Sequence, residues 1–175
     1  MNLVGHDLGA DVALYYAVEH PDNVERLILV AGGMIGQKDA DRIRARMVPN
    51  SPDQVQAIVD AAFFGLPPMP GFMYDRMMAA LALDLPAETD MLNSVGKDEA
   101  HIRSKLGQIF NTLTVIMWGG KDPVVPASRG EAMHSALPGS ATVTFKTSGH
   151  DPQLEHPDEF ADSILYLLRQ TEGGR

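Results

Sequence analysis

The chain has 175 residues, 45% of them apolar and 21% charged, which is the composition of one ordinary globular domain with a real core. A formal net charge of −9 argues against nucleic acid as a partner, since phosphate binding needs a basic surface. There is no cysteine, which excludes disulfides, thiolate metal sites and a cysteine nucleophile and fits a cytoplasmic location. No apolar run reaches the roughly 18 residues of a membrane span, and no secretory signal pattern opens the chain.

The first block alternates short strand-like and helical patterns. Leu3-Val4 predicts a short strand, Gly5 to Gly9 a turn, and Ala10 to Glu19 a helix with Val12, Tyr15, Tyr16 and Val18 set among alanines. His20-Pro21-Asp22 ends that helix, and Arg26 to Val30 is a compact apolar run of the kind buried on both faces of a parallel sheet. Gly32-Gly33 terminates it.

Residues 34–108 read differently. They are helical in pattern, broken at Val48-Pro49 and at Leu66-Pro67-Pro68-Met69-Pro70-Gly71, and hold seven of the ten methionines. Methionine fills irregular gaps in a core, and it also suits an adaptable apolar wall over a pocket. Met34, Phe72 and Tyr74 are the residues of this block expected to face a substrate.

After it, β/α alternation resumes. Leu113 to Trp118 predicts a strand, Ala127 to Leu137 a helix and Ala141 to Thr147 a strand, with Ser148 to Pro152 as a loop. Pro157 opens a last helix whose Phe160, Ile164, Leu165, Leu167 and Leu168 form one apolar side. Strands alternating with helices predict a parallel sheet covered on both faces. The expected organisation is an α/β core made of residues 1–33 and 109–175, with 34–108 inserted as a helical cap.

Asp7 stands between Gly5 and Gly9 where a strand gives way to a helix. A Gly-x-X-x-Gly turn at such a junction uses glycine where backbones crowd, and lifts its central side chain clear of the sheet. An aspartate there can equally be a helix N-cap, and the turn alone leaves the two readings open. Asp122 and His150 each follow a later strand, and residues at the carboxyl ends of parallel strands converge on one crevice. The chain order nucleophile, acid, histidine therefore favours a catalytic Asp7. His6, beside it, is expected to be structural, as are His20 and His156 before their prolines; Trp118 is expected in the core.

The segments "LVGHDLGADVALYYAVEHPDNVERLILV", "VIMWGGKDPVVP" and "SGHDPQLEHPDEFADSILYLL" together resemble the α/β-hydrolase family in its C-terminal two-thirds. The resemblance implies a truncated α/β-hydrolase fold with a helical cap. It also implies Asp7 as nucleophile, Asp122 as the acid that orients the base, His150 as the base and the Leu8 backbone amide as an oxyanion donor. No cofactor and no metal are implied. An aspartate in the elbow is similar to epoxide hydrolases and haloalkane dehalogenases rather than to esterases, and none of the eight serines occupies that position. Leu8 stands where haloalkane enzymes carry tryptophan and haloacetate enzymes arginine, and Tyr74 is the only tyrosine of the cap segment.

The expected substrate is small and apolar to moderately polar, an epoxide or a carbon–halogen compound. A promiscuous esterase-like hydrolase and a non-catalytic fragment or interaction module are the alternatives. Family members normally have further strands before the elbow, one carrying a second oxyanion donor. Their absence here predicts a homodimer, in which the strand at Asn2 to Val4 finds its neighbour on a second copy.

Overall fold

A computed structural model describes residues 1–32, 51–62, 70–73, 75–76, 79–80, 87, 90, 100–137 and 139–169. Its frame is a four-stranded sheet of β1 (Asn2–His6), β2 (Arg26–Val30), β3 (Leu113–Gly119) and β4 (Ala141–Phe145), side by side in that order and all parallel. The register pairs His6 with Val30, Val30 with Met117 and Met117 with Val143, so the carboxyl ends of the strands lie along one edge of the sheet. Every residue that follows a strand therefore starts from the same side.

Helices cover both faces. On one, α1 (Leu8–Glu19) turns Ala10, Ala13, Leu14, Ala17 and Val18 onto Leu27, Leu29, Ile116 and Trp118. Ile102, Leu106 and Ile109 extend this core, as does Met133 of α3 (Ala127–Ala136). On the other face Ile28, Val30, Val115, Met117 and Phe145 meet Phe160, Ile164 and Leu167 of α5 (Pro157–Arg169). Alternate residues of β2 thus serve opposite layers, as the period of a strand requires. The short α4 (Pro152–Glu155) precedes α5, and α2 (Pro52–Ala62) lies in the segment expected to form the cap.

The expected boundaries need several corrections. The strand at Leu3-Val4 runs from Asn2 to His6, and the turn expected over Gly5 to Gly9 shrinks to the single residue Asp7, because Gly5 and His6 pair with Leu29 and Val30. Helix α1 starts at Leu8, and its buried stripe is built of Ala10, Asp11, Ala13, Leu14, Ala17 and Val18, leaving Val12 and Tyr15 exposed. Small side chains let the helix lie close to the sheet, a choice that an apolar pattern weighted by size does not reveal. Leu165, expected on the apolar side of α5, is exposed. The last strand ends at Phe145, because Ser148 N–H bonds back to the Phe145 carbonyl (3.1 Å) and turns the chain. Trp118 is buried as expected, its indole N–H donating to the Val125 carbonyl at 3.0 Å.

Candidate active site

Asp7 is held at φ 51° and ψ −124°, a conformation that non-glycine residues rarely adopt. Strain of this type costs on the order of 1–3 kcal/mol and persists only where the surroundings impose it. Here the Asp7 N–H donates to the Val30 carbonyl (2.9 Å) while its own carbonyl accepts from Ala10 N–H (2.9 Å). The strand's ladder thus continues into the same residue that opens the helix. A Cβ on Gly5 would meet Ala10 Cα at 2.6 Å, so only glycine lets β1 and α1 approach this closely. Gly9 is different: a Cβ there would meet nothing within 4 Å. The expectation that crowding demands both glycines holds for Gly5 alone.

The cap reading of Asp7 finds no hydrogen bond to support it. Its carboxylate makes no capping hydrogen bond to the helix and is turned instead toward His150, whose Nε2 lies 3.6 Å from Asp7 Oδ1. On the far side of the ring, His150 Nδ1 lies 2.9 Å from Asp122 Oδ2. A carboxylate only accepts, so Nδ1 carries the proton and Nε2 is the atom turned to Asp7. The other Asp122 oxygen accepts from Val124 N–H (2.8 Å) and Val125 N–H (3.0 Å), which fixes the carboxylate with its side chain fully shielded from solvent.

Two loops are zipped together to make this contact. Gly120 N–H donates to the Phe145 carbonyl and Lys121 N–H to the Ser148 carbonyl, each at 2.8 Å, joining the loop of Asp122 to that of His150. Gly119 has no room for a side chain, because a Cβ would run into the Gly149 carbonyl. The loop of His150 is held from its other side by the Glu155 carboxylate, which accepts from Ser148 Oγ–H (2.9 Å), Gly149 N–H (2.9 Å) and Asp151 N–H (3.3 Å).

Burial works against a charged His150, but hydrogen bonds to Asp122 and Asp7, together with their negative charges, outweigh it and push the imidazole up to about 10. Burial likewise opposes ionisation of Asp7. The His150 hydrogen bond, the charges of His150 and His6, and the Leu8 amide overcome it and hold Asp7 below the usual carboxylate range. The resting arrangement is an imidazolium between two carboxylates, one sealed in and one, at Asp7, with 31% of its side chain open.

The structure brings Asp7, Asp122 and His150 together, with the Leu8 amide at the start of α1 beside the Asp7 carboxylate. Phe72 is 67% exposed. Met34 and Tyr74 lie outside the described residues. His20 stacks on Tyr16 with ring centres 4.7 Å apart, and His156 Nε2 lies 3.3 Å from Thr147 Oγ1, both structural contacts. Among the described residues no group of three or more His, Cys, Asp or Glu side chains is disposed to hold a metal ion. No helix among them is long and apolar enough to cross a membrane.

Sequence reasoning passed over three side chains. Glu155 acts through backbone amides, which leave no trace in a residue pattern. His6 was expected to point away from its neighbour's chemistry, yet its ring centre is 4.9 Å from that of His150, and Asp151 sits 3.5 Å from His6 Nε2. The signal available was adjacency alone: His6 precedes one triad residue and Asp151 follows another.

Residues 2–163 match the sequence profile of the alpha/beta hydrolase family. An uncharacterized protein of Mycobacterium tuberculosis is 27% identical over 194 residues, a match covering 98% of this chain and 57% of the relative. A pimeloyl-[acyl-carrier protein] methyl ester esterase of Neisseria meningitidis is 29% identical, covering 98% of this chain and 59% of the esterase. The chain therefore spans rather more than half the length of these relatives. Among solved structures, a lipase-like protein of Acinetobacter baumannii superposes with a TM-score of 0.82 at 19% identity, over 100% of this chain and 62% of that one. The profile covers nearly the whole sequence, and the chain belongs to the alpha/beta hydrolase family.

Proposed function

We propose that the chain is a hydrolase in which Asp7 attacks an electrophilic carbon of an epoxide or a carbon–halogen compound. The observation that carries this reading is the Asp7 carboxylate itself, held in a strained elbow, partly open and 3.6 Å from His150 Nε2. An ionised carboxylate at neutral pH is the nucleophile such a reaction needs. Its oxygen forms a bond to carbon while the carbon–halogen bond breaks and the halide leaves with the electron pair. With an epoxide the ring C–O bond breaks instead, and the oxygen takes up one proton from solvent.

The resulting ester has neutralised Asp7, and this changes His150. One of the two carboxylates that hold its proton is gone, so the imidazole releases that proton more readily and its Nε2 becomes free to accept one. Asp122 keeps the Nδ1 proton in place and steadies the imidazolium that forms when Nε2 takes a proton from water. The hydroxide generated adds to the Asp7 carbonyl carbon; collapse expels the alcohol and restores the carboxylate. The Leu8 amide, which already favours the charged Asp7 at rest, would stabilise the oxyanion of that second step.

A second reading is supported by the 29% identity to the Neisseria methyl ester esterase: hydrolysis of activated esters, with Asp7 serving as base or anion. Attack of a carboxylate on an ordinary ester would give a reactive anhydride, which is why the first reading is preferred.

The test is a panel of epoxides, haloalkanes and p-nitrophenyl esters, assayed with the wild type, Asp7→Asn and His150→Ala. Epoxide or haloalkane turnover that both variants lose is the expected result. A single turnover in heavy-oxygen water should then place label in Asp7, whereas label in the product alone overturns the covalent route. Ester hydrolysis without the other two activities favours the second reading. Activity unaffected by either substitution removes the triad assignment.

A further inference from the structure

His6 and Asp151 are the chain neighbours of two catalytic residues, and they meet each other just as those residues do. His6 immediately precedes Asp7, and Asp151 immediately follows His150. The catalytic contact from Asp7 to His150 is 3.6 Å, and the flanking contact from His6 Nε2 to Asp151 Oδ1 is 3.5 Å. His6 Nε2 also lies 3.0 Å from the His150 backbone carbonyl. A carbonyl oxygen only accepts, so Nε2 carries a proton and donates it there, with the Asp151 carboxylate alongside. The elbow and the histidine loop are therefore joined by two bridges side by side, one that reacts and one that does not.

The second bridge is anchored. Asp151 is largely buried, its Oδ1 accepting from Gln153 Nε2–H at 2.9 Å, and its backbone N–H is held by Glu155. Glu155 also holds Gly149 N–H and Ser148 Oγ–H, so the loop is fixed immediately before and after His150. What that clamp leaves undetermined is the distance from the histidine loop to the elbow. His6 spans that gap.

We propose that His6, steadied by Asp151, is a positioning residue for His150: its Nε2–H bond to the His150 carbonyl sets the imidazole's place against Asp7. The inference rests on the reading of His150 as the base, but its geometry does not depend on the substrate. His6 takes no part in proton transfer, because the nitrogen facing the site is spent on the carbonyl. The ionisable groups around the His150 ring are Asp7, Asp122, His6 and Asp151, with Glu155 beneath the loop.

The test compares two polar substitutions that differ by one methylene. Glutamine places its amide nitrogen near the position of imidazole Nε2 and keeps the donor; asparagine stops near Nδ1 and cannot reach the carbonyl. Carbon-detected NMR of the imidazoles follows His150, assigned by its loss in His150→Gln, while kcat and KM are measured on whichever panel substrate is turned over. His6→Asn should lower the His150 titration midpoint by about one pH unit or more, because looser contact with Asp7 weakens its hold on the proton. It should also cut kcat by about tenfold or more with KM nearly unchanged, the mark of a misplaced catalytic group. His6→Gln should restore both.

A His6→Asn protein that titrates like the wild type overturns the proposal, and so does a His6→Gln protein as impaired as His6→Asn. Because the titration is read without substrate, a protein inactive on the whole panel still tests the positioning role. Conversely, an active triad with an unmoved midpoint removes the positioning role and leaves the triad.

Discussion

Asp122 presents one oxygen to His150 Nδ1 at 2.9 Å and the other to the amides of Val124 and Val125, so the carboxylate that holds the imidazole is itself oriented by its own loop. An amide in its place keeps the shape and loses the charge. In Asp122→Asn the oxygen can satisfy the two backbone N–H groups only by turning the amide nitrogen toward His150, which then flips its tautomer to offer an unprotonated Nδ1. Loss of about 10³- to 10⁴-fold in kcat is expected from that wrong tautomer, by analogy with the loss known for other triads. Kinetic assay beside circular dichroism checks it; a loss below tenfold in a folded variant contradicts the orienting role.

The raised His150 makes stability depend on pH with a definite sign. Its ordinary value is 6.5 and its folded value about 10, so the folded state holds the proton more tightly than the unfolded chain. That contribution is complete below pH 6.5 and is lost as pH rises through 10. Urea unfolding at pH 6, 8 and 10 should show the wild type losing stability relative to His150→Gln across this window. Parallel curves for the two proteins would show that the imidazolium between Asp7 and Asp122 does not stabilise the fold.

The glycines of the elbow are not equivalent. Gly5→Ala forces a methyl group against Ala10 Cα at 2.6 Å, where both partners are backbone and neither can yield. Gly9 lies within α1 with open space around its Cα, and alanine there gains helix propensity. We expect Gly5→Ala to destabilise by about 2 kcal/mol or more and Gly9→Ala to stabilise by about 0.5–1 kcal/mol. Denaturant midpoints measure both, and equal effects would contradict the elbow's geometry.

That contrast marks what the residues alone disclose. Strand β2 is readable to the residue, because four consecutive buried positions, Leu27 to Val30, leave no competing pattern. That Asp7, Asp122 and His150 come together is readable because each follows a strand whose end carries its own punctuation. The buried face of helix α1 is not marked by its larger side chains, since tight packing against the sheet favours Ala10, Ala13 and Ala17 there. Glu155 and the His6–Asp151 bridge are illegible for other reasons: Glu155 mainly holds backbone amides of its own loop, while His6 meets a loop 144 positions away that only the folded sheet brings near.

Strain at Asp7 can be separated from its charge. Asp7→Asn and Asp7→Gly both abolish the ion pair with His150, but only glycine is at ease at φ 51°, ψ −124°. The glycine variant should therefore be more stable than the asparagine variant by about 1–3 kcal/mol, although it removes more atoms and leaves a looser site. Part of that margin is offset by the greater entropy of glycine in the unfolded chain, which costs about 0.4–1 kcal/mol. Both variants should be inactive on epoxides and haloalkanes. If asparagine is as stable as glycine, the elbow holds its conformation without strain, and its backbone geometry ceases to be an argument for a site maintained for chemistry.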